Sequence, residues 1–138
     1  MRMFLDTSAF AKRYVMEPGS DRLIALCQQA DHLIISVICM PELISTLSRL
    51  VRESRLTKDD YQALKADVFA DLKDMDICQL TAEVLAEVPA LLESHTLRAM
   101  DAIHIACALV AESEVFVSAD HRQLSAAEKA GLAIIDVS

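Results

Sequence analysis

The 138-residue sequence has only two glycines, three prolines and no tryptophan. So little glycine and proline makes long disordered segments unexpected, and a glycine-rich Walker loop is excluded because the glycines stand alone, at Gly19 and Gly131. Aromatic residues are 4% of the chain, which argues against a platform for stacked bases. No run approaches the ~18 apolar residues of a membrane helix, and the N-terminus does not read as a signal peptide. We therefore expect a soluble cytoplasmic protein.

Basic residues are also scarce, with 13 against 21 acidic ones and a net charge of −8. This balance argues against a protein that holds nucleic acid on a broad basic surface. If the substrate is a nucleic acid, a metal ion and a few local cations must attract it. The length and the hydrophobic fraction of 54% fit a single domain over residues 1–138 with a sizeable core.

The cysteines carry no signature of a metal or redox site. None forms a CxxC pair or lies at zinc-ligand spacing to a histidine. Without an export signal, disulfides are not expected. The sequence therefore favours small buried hydrophobes at Cys27, Cys39, Cys78 and Cys107.

Short apolar runs alternate with helical patterns along the chain. We expect strands at about residues 3–5, 33–35, 76–80, 115–117 and 132–135, the third of them near a sheet edge. The intervening helices include 8–15, 37–54 and 97–111, with caps at Thr57, Thr81 and Thr96. This alternation predicts an α/β fold whose parallel sheet is covered by helices on both faces.

Four acidic residues stand where strands end or helices begin: Asp6, Glu42, Asp101 and Asp120. Each has apolar neighbours, and a carboxylate is costly to bury unless a cation meets it. Brought together, the four would form a cage for a hard divalent cation. Asp6 and Asp120 follow strands at the edge where parallel sheets bind ligands, although for either residue alone a helix N-cap is the better interpretation.

Asp101 and Glu42 sit inside helical patterns. Asp101 shares its helix face with Ile105, so we expect it to face the interior or a cleft; the alternative is a surface acid near a helix N-terminus. For Glu42, a solvated acid paired with Arg49 is as good an interpretation as a functional one.

Four motifs in this order resemble those of PIN-domain nucleases, and together they span nearly the whole chain. The first is Asp6-Thr7-Ser8-Ala9, and the second is Pro41-Glu42-Leu43. The third is Leu97-Arg98-Ala99-Met100-Asp101-Ala102-Ile103-His104-Ile105-Ala106, and the fourth is Val117-Ser118-Ala119-Asp120, followed by Gly131-Leu132. The stretch at 6–14 is similar to that of VapC-type toxins of toxin–antitoxin pairs.

The resemblance implies a three-layer α/β/α sandwich with a mostly parallel sheet of about five short strands. It implies a Mg²⁺- or Mn²⁺-dependent endoribonuclease that cleaves RNA, with one or two ions, inhibition by a small antitoxin protein, and a homodimer. The metal and catalytic residues would be Asp6, Glu42, Asp101 and Asp120. Thr7, Ser8 and Ser118 are auxiliary candidates, with Ser8 or Ser118 hydrogen-bonded to a carboxylate or a phosphate.

Other polar residues near the motifs admit two interpretations. His104 is expected in packing or in support of the site rather than as a general base, and His121 as a surface residue. Phosphate contact and a solvated helix face are equal alternatives for the cations Lys12, Arg13, Arg98 and Arg122.

Two other functions stay open. The chain would be a housekeeping RNA-processing nuclease if no antitoxin gene lies beside it. It would be a non-catalytic binding module if its acids hold a partner's basic residue instead of a metal. An aspartyl phosphatase is disfavoured, because Ser8 stands where the second acid of an Asp-x-Asp pair would lie.

Overall fold

The computed structural model describes all residues, 1–138, as five strands and seven helices in alternation. In chain order the elements are β1 (Arg2–Leu5), α1 (Thr7–Ala11), α2 (Ser20–Gln29), β2 (His32–Ser36), α3 (Cys39–Arg52), α4 (Lys58–Leu72), β3 (Asp76–Cys78), α5 (Ala82–Ser94), α6 (Ala99–Val110), β4 (Val115–Ser118), α7 (His121–Lys129) and β5 (Ala133–Asp136).

All five strands form one parallel sheet in the order β3-β2-β1-β4-β5. The predicted parallel sheet is therefore confirmed, and the polar third strand lies at an edge as expected. The two central strands pair with Leu5 beside Val117. The residues that follow them, Asp6 and Asp120, consequently leave the sheet at the same edge.

Alternation along the central strands separates two hydrophobic layers. Phe4 packs against α5, α6 and α7, where its ring stacks on Phe116 with the centroids 5.6 Å apart. Met3 and Leu5, on the opposite face, pack against α1, α2, α3 and α4. Because neighbouring side chains of a strand point to opposite faces, β1 serves both layers, and the result is the predicted three-layer sandwich.

Helix starts follow the expected caps at two of three positions. The hydroxyls of Thr57 and Thr81 accept backbone N–H donors at the starts of α4 and α5. The predicted start at Thr96 is wrong, because α6 begins at Ala99 with Arg98 as its N-cap. There the carboxylate of Asp101, three residues after the N-cap, accepts the Arg98 N–H at 3.3 Å. This bond satisfies a backbone donor that the helix itself leaves unpaired.

The first helix is shorter than predicted. It ends at Ala11 because the amides of Lys12 and Arg13 bond to carbonyls three residues back, which tightens the chain into a turn. The chain then reaches Gly19, whose φ is +91°. A Cβ at Gly19 would collide with the carbonyl oxygen of Val137, so glycine lets the chain pass close to the C-terminal segment.

None of the seven helices combines the length and the hydropathy that a membrane span requires. The four cysteines are free thiols, with Cys39 and Cys107 buried and the other two partly exposed.

Candidate active site

Asp6 is fully buried at the carboxyl end of β1, where three donors hold its carboxylate. One oxygen accepts the Ser8 hydroxyl at 2.8 Å and the Ala9 N–H at 2.9 Å. The other accepts the Ser118 hydroxyl at 2.6 Å. Burial raises the pKa of Asp6 above its ordinary value of 3.8, while the hydrogen bonds from Ser118 and Ala9 oppose the rise. Asp6 is thus both the N-cap of α1 and a member of the acidic edge.

Ser118 connects the two central strand ends. Its hydroxyl donates to Asp6 and accepts the Asp120 N–H at 2.9 Å. Ser8 approaches Ser118 at 3.3 Å and accepts the Ala119 N–H at 2.9 Å. Both serines therefore hydrogen-bond to the Asp6 carboxylate. A bond to a carboxylate was one of the two roles expected for them.

Glu42 lies in the first turn of α3 and is held by a threonine and a histidine. Its Oε1 accepts the Thr7 hydroxyl at 2.6 Å and lies 2.6 Å from His104 Nε2. Burial raises the pKa of Glu42, but the His104 and Thr7 hydrogen bonds outweigh it, so the pKa falls below its ordinary value of 4.5. The expected alternative, an ion pair with Arg49, is wrong because Arg49 is 3.9 Å from Glu53, one turn further along.

His104 donates a hydrogen bond to Glu42 through Nε2. Its side chain is buried and its Nδ1 has no hydrogen-bond partner. Nε2 faces a carboxylate, which only accepts, so Nε2 carries the proton. The ring therefore supports the site, as the sequence suggested, and is not placed to act as a general base.

Asp101 and Asp120 form the outer part of the acidic edge. Asp101 accepts the Gln123 amide at 3.1 Å, in addition to the Arg98 N–H. Burial raises the pKa of Asp101 above its ordinary value of 3.8, the Arg98 N–H opposes this, and the charges of Asp120 and Glu42 add to the rise. Asp101 is thus partly buried in a cleft, as its apolar helix face predicted.

Asp120 caps α7 and faces a cavity. One of its oxygens accepts the Arg122 N–H at 2.9 Å. The cavity beside it has a volume of about 340 Å³ and is lined by Thr96, Leu97, Arg98, Asp101, Asp120 and Arg122. Asp120 is therefore the N-cap of α7 and also lines the cavity at this edge of the sheet.

Two of the candidate phosphate contacts are occupied. Lys12 is buried and bonds to Glu17 at 3.2 Å and to the Pro18 carbonyl at 2.6 Å. Arg13 is 3.3 Å from Asp71. Neither presents a free cation, whereas the side chains of Arg98 and Arg122 make no ion pair.

Some contacts of the site were not visible in the sequence. The His104–Glu42 bond joins α6 to α3, and Gln123 reaches Asp101 from α7. The only signal for His104 was its place one turn beyond Asp101 in an apolar run. No pattern marked Gln123, because its contact depends on how two distant helices pack.

Carboxylate oxygens are the ligands that a hard divalent cation prefers, so the residue types of this site suit such an ion. No three His, Cys, Asp or Glu side chains are grouped closely enough to hold one ion among them. Mg²⁺, however, is usually bound through one or two carboxylates and keeps several waters. Glu42 and Asp120 each keep one oxygen with no hydrogen bond from the protein, so the residues fit an ion bound partly through water.

Fold and site together define the class: an α/β/α protein with an acidic site at the carboxyl edge of a parallel sheet. A family model described as "PIN domain" matches residues 3–129. The chain belongs to the PIN domain family.

Curated relatives are similar to this chain along nearly its whole length. The chain is 32% identical over 135 residues to ribonuclease VapC45 and to ribonuclease VapC49, both of Mycobacterium tuberculosis. Each alignment covers 94% of this chain and 91% of the relative. The chain is therefore similar to VapC ribonucleases.

Solved structures share the fold at lower identity. FitAcB of Neisseria gonorrhoeae superposes with a TM-score of 0.72 at 16% identity, covering 98% of this chain and 97% of that one. VapBC-1 of nontypeable Haemophilus influenzae gives 0.73 at 14% identity, covering 99% and 98%. Mycobacterium tuberculosis VapC20, described as a sarcin-ricin loop cleaving toxin, gives 0.68 at 17% identity, covering 94% and 95%. These likenesses establish the fold.

Proposed function

We propose that the protein is a Mg²⁺- or Mn²⁺-dependent endoribonuclease, and the toxin of a type II toxin–antitoxin pair. The observation that carries the proposal is the collection of Asp6, Glu42, Asp101 and Asp120 at one edge of the sheet, in a PIN-domain chain. The relatives named as VapC ribonucleases support it. Residues 1–138 would act as one nuclease domain, in the cytoplasm where RNA is available.

The four carboxylates would hold one or two divalent ions, directly or through water. A bound ion would lower the pKa of a water molecule and neutralise charge on the phosphorane-like transition state. The chain contributes the arrangement of the acids: Ser8 and Ser118 fix Asp6, while Thr7 and His104 fix Glu42. Their hydrogen bonds hold each carboxylate in one orientation before substrate arrives.

Glu42 and Asp101 would differ in their affinity for a proton. The pKa of Glu42 is lowered by its donors, so Glu42 stays ionised and serves best as a fixed negative ligand. The pKa of Asp101 is raised by burial and by the nearby acids, which makes it the stronger base. We assign to Asp101 the orientation and deprotonation of the attacking water.

The partner would be a small antitoxin that presents a basic residue to the acids and apolar residues to a groove. A cavity of about 550 Å³ between the turn after α1, α2 and α4 suits the apolar part, lined by Arg13, Tyr14, Ile24, Cys27, Gln28, Leu64, Asp67, Ala70 and Asp71. Structural neighbours include a toxin–antitoxin complex from Klebsiella pneumoniae, with a TM-score of 0.71. A homodimer belongs to the same proposal.

Purified protein incubated with total RNA tests the proposal. We expect cleavage with Mg²⁺ or Mn²⁺ and none after addition of EDTA. RNA that stays intact in the presence of either metal would favour the non-catalytic binding module. Growth arrest on expression, relieved by co-expression of an adjacent small gene, would separate a toxin from a housekeeping nuclease.

A further inference from the structure

A second cavity adjoins the acidic one. It has a volume of about 450 Å³ and shares Thr96 and Arg122 with the first. Its wall is made by the chain entering α6 and by one face of α7, and it is lined by Ser94, His95, Thr96, His121, Arg122, Ser125, Ala126 and Lys129. The two cavities are therefore adjacent, and we call the two together the path.

The second cavity differs from the first in charge. The first contains Asp101 and Asp120, whereas no Asp or Glu lines the second. Hydroxyl groups of Ser94, Thr96 and Ser125 add neutral donors that can bond to phosphate oxygens. The second cavity thus suits an anion that extends from the first.

Three exposed basic residues line this path. Only three basic residues follow Lys73 in the chain, namely Arg98, Arg122 and Lys129, and we call them the cationic strip. All three line one or both cavities. Their side chains are exposed and make no ion pair. Elsewhere in the chain, Lys12, Arg13, Arg49 and Arg55 are held by acids.

The histidines of the path contribute less. His121 Nε2 is 3.0 Å from Asp136 and 3.3 Å from the Ser138 hydroxyl, so its ring is already engaged. Asp136 partly offsets any charge on His121 and does not line the cavity. The free charge of the path is therefore that of the cationic strip.

We propose that the cationic strip binds the phosphates of a single RNA strand next to the cleaved bond, and that the strand runs from the acidic cavity along α7. The proposal rests on the proposed function for the direction of the strand, since it takes the acids as the cleavage site. It also resolves the conflict between a net charge of −8 and a polyanionic substrate. A few unpaired cations at the site attract the RNA locally, as the overall charge cannot.

Binding of a short single-stranded RNA with a fluorescent end tests the proposal. The titrations use Mg²⁺ and an Asp101→Asn background, so that the RNA stays intact, which a gel verifies. In this background Arg122→Gln and Lys129→Gln should each weaken binding about 1.4- to fivefold, the range of an exposed ion pair. Each should also lower the slope of log affinity against log salt by about 0.7, the value for one phosphate contact with a single strand.

Lys73→Gln is the matched control, because Lys73 is an exposed lysine without an ion pair that lies outside both cavities. It should leave affinity and salt slope unchanged. An equal loss in Lys73→Gln, or no loss in the two test variants, would overturn the proposal, as would the absence of RNA binding by the background protein. Unchanged melting temperatures verify that each variant folds.

Polyglutamate in place of RNA separates a nucleic-acid path from a surface for an acidic protein segment. We expect the background protein to prefer RNA; tighter binding of polyglutamate that depends on the cationic strip would overturn the assignment. If the strip supports RNA binding while the parent protein cleaves no RNA with Mg²⁺ or Mn²⁺, the binding path stands and the proposed nuclease function fails.

Discussion

His104 Nε2 lies 2.6 Å from Glu42 Oε1, in a partly buried contact that joins α6 to α3 across the end of the sheet. Thr7 donates to the same carboxylate oxygen from α1. Three elements that are distant in the chain are thus joined at one carboxylate, whose second oxygen points to no protein donor. The contact fixes the orientation of Glu42 and leaves one oxygen available to a cation.

Two substitutions of His104 distinguish the effect of its hydrogen bond on metal affinity from the effect of its size. Gln places an N–H donor near the position of Nε2, so His104→Gln should keep most of the divalent-metal affinity. His104→Leu removes the donor and should weaken metal binding about tenfold, the low end of the effect of losing a residue that orients a ligand. Isothermal calorimetry with Mn²⁺ measures both. Equal affinity in His104→Leu and the parent would contradict the positioning role.

Divalent metal should raise the melting temperature. The acids repel one another in the folded chain, and an ion that binds only the folded state stabilises it by about 2.7 kcal/mol at a hundredfold excess over Kd. Differential scanning calorimetry with Mg²⁺, Mn²⁺ and EDTA measures the shift. In Asp101→Asn the shift should shrink, and Asp21→Asn, an exposed acid on α2, should keep it. A shift of the same size in both variants would place the ion elsewhere.

Without metal, the contributions of Asp101 and Glu42 to the free energy of unfolding should change with pH in opposite directions. The folded-state pKa of Asp101 is raised, so the folded state holds its proton more tightly, and stability falls as pH rises from about 4 through that pKa. Asp101→Asn lacks this fall and should gain stability relative to the parent over the same range.

The folded-state pKa of Glu42 is lowered, so its contribution is present above its ordinary value of 4.5 and is lost as pH falls through the folded value. Glu42→Gln should therefore cost more stability at pH 7 than at pH 3. Urea unfolding in EDTA at several pH values measures both differences. Parallel curves for Asp101→Asn and Glu42→Gln would contradict the opposite signs.

The two glycines provide a matched pair for backbone strain. Both have positive φ, +91° at Gly19 and +103° at Gly131, a region that costs an L-residue roughly 1–2 kcal/mol. A Cβ at Gly131 meets no atom within 4 Å, whereas at Gly19 it collides with Val137. Gly131→Ala should cost about that amount, and Gly19→Ala should cost more, by denaturant unfolding. Equal costs would show that the C-terminal segment moves away freely.

The sequence was sufficient for the sheet and for the place of the acids, because both follow from local pattern. Apolar strands predicted the parallel sheet, and the strand ends placed Asp6 and Asp120 on one edge. Glu42 was ambiguous, since its partners Thr7 and His104 come from other layers and only packing brings them together. Lys12 looked free for the same reason: nothing local showed that Pro18 and Glu17 would enclose it.

RNA cleavage by the parent protein and by Asp101→Asn, assayed side by side with Mn²⁺ and with EDTA, shows whether the acidic edge is the active site. Asp21→Asn serves as the control for loss of an acid elsewhere. The parent and Asp21→Asn should cleave RNA only with metal, while Asp101→Asn should be silent although it is folded. If Asp101→Asn cleaved RNA at the parent's rate while the reactions with EDTA showed no cleavage, the acidic edge would not be the active site.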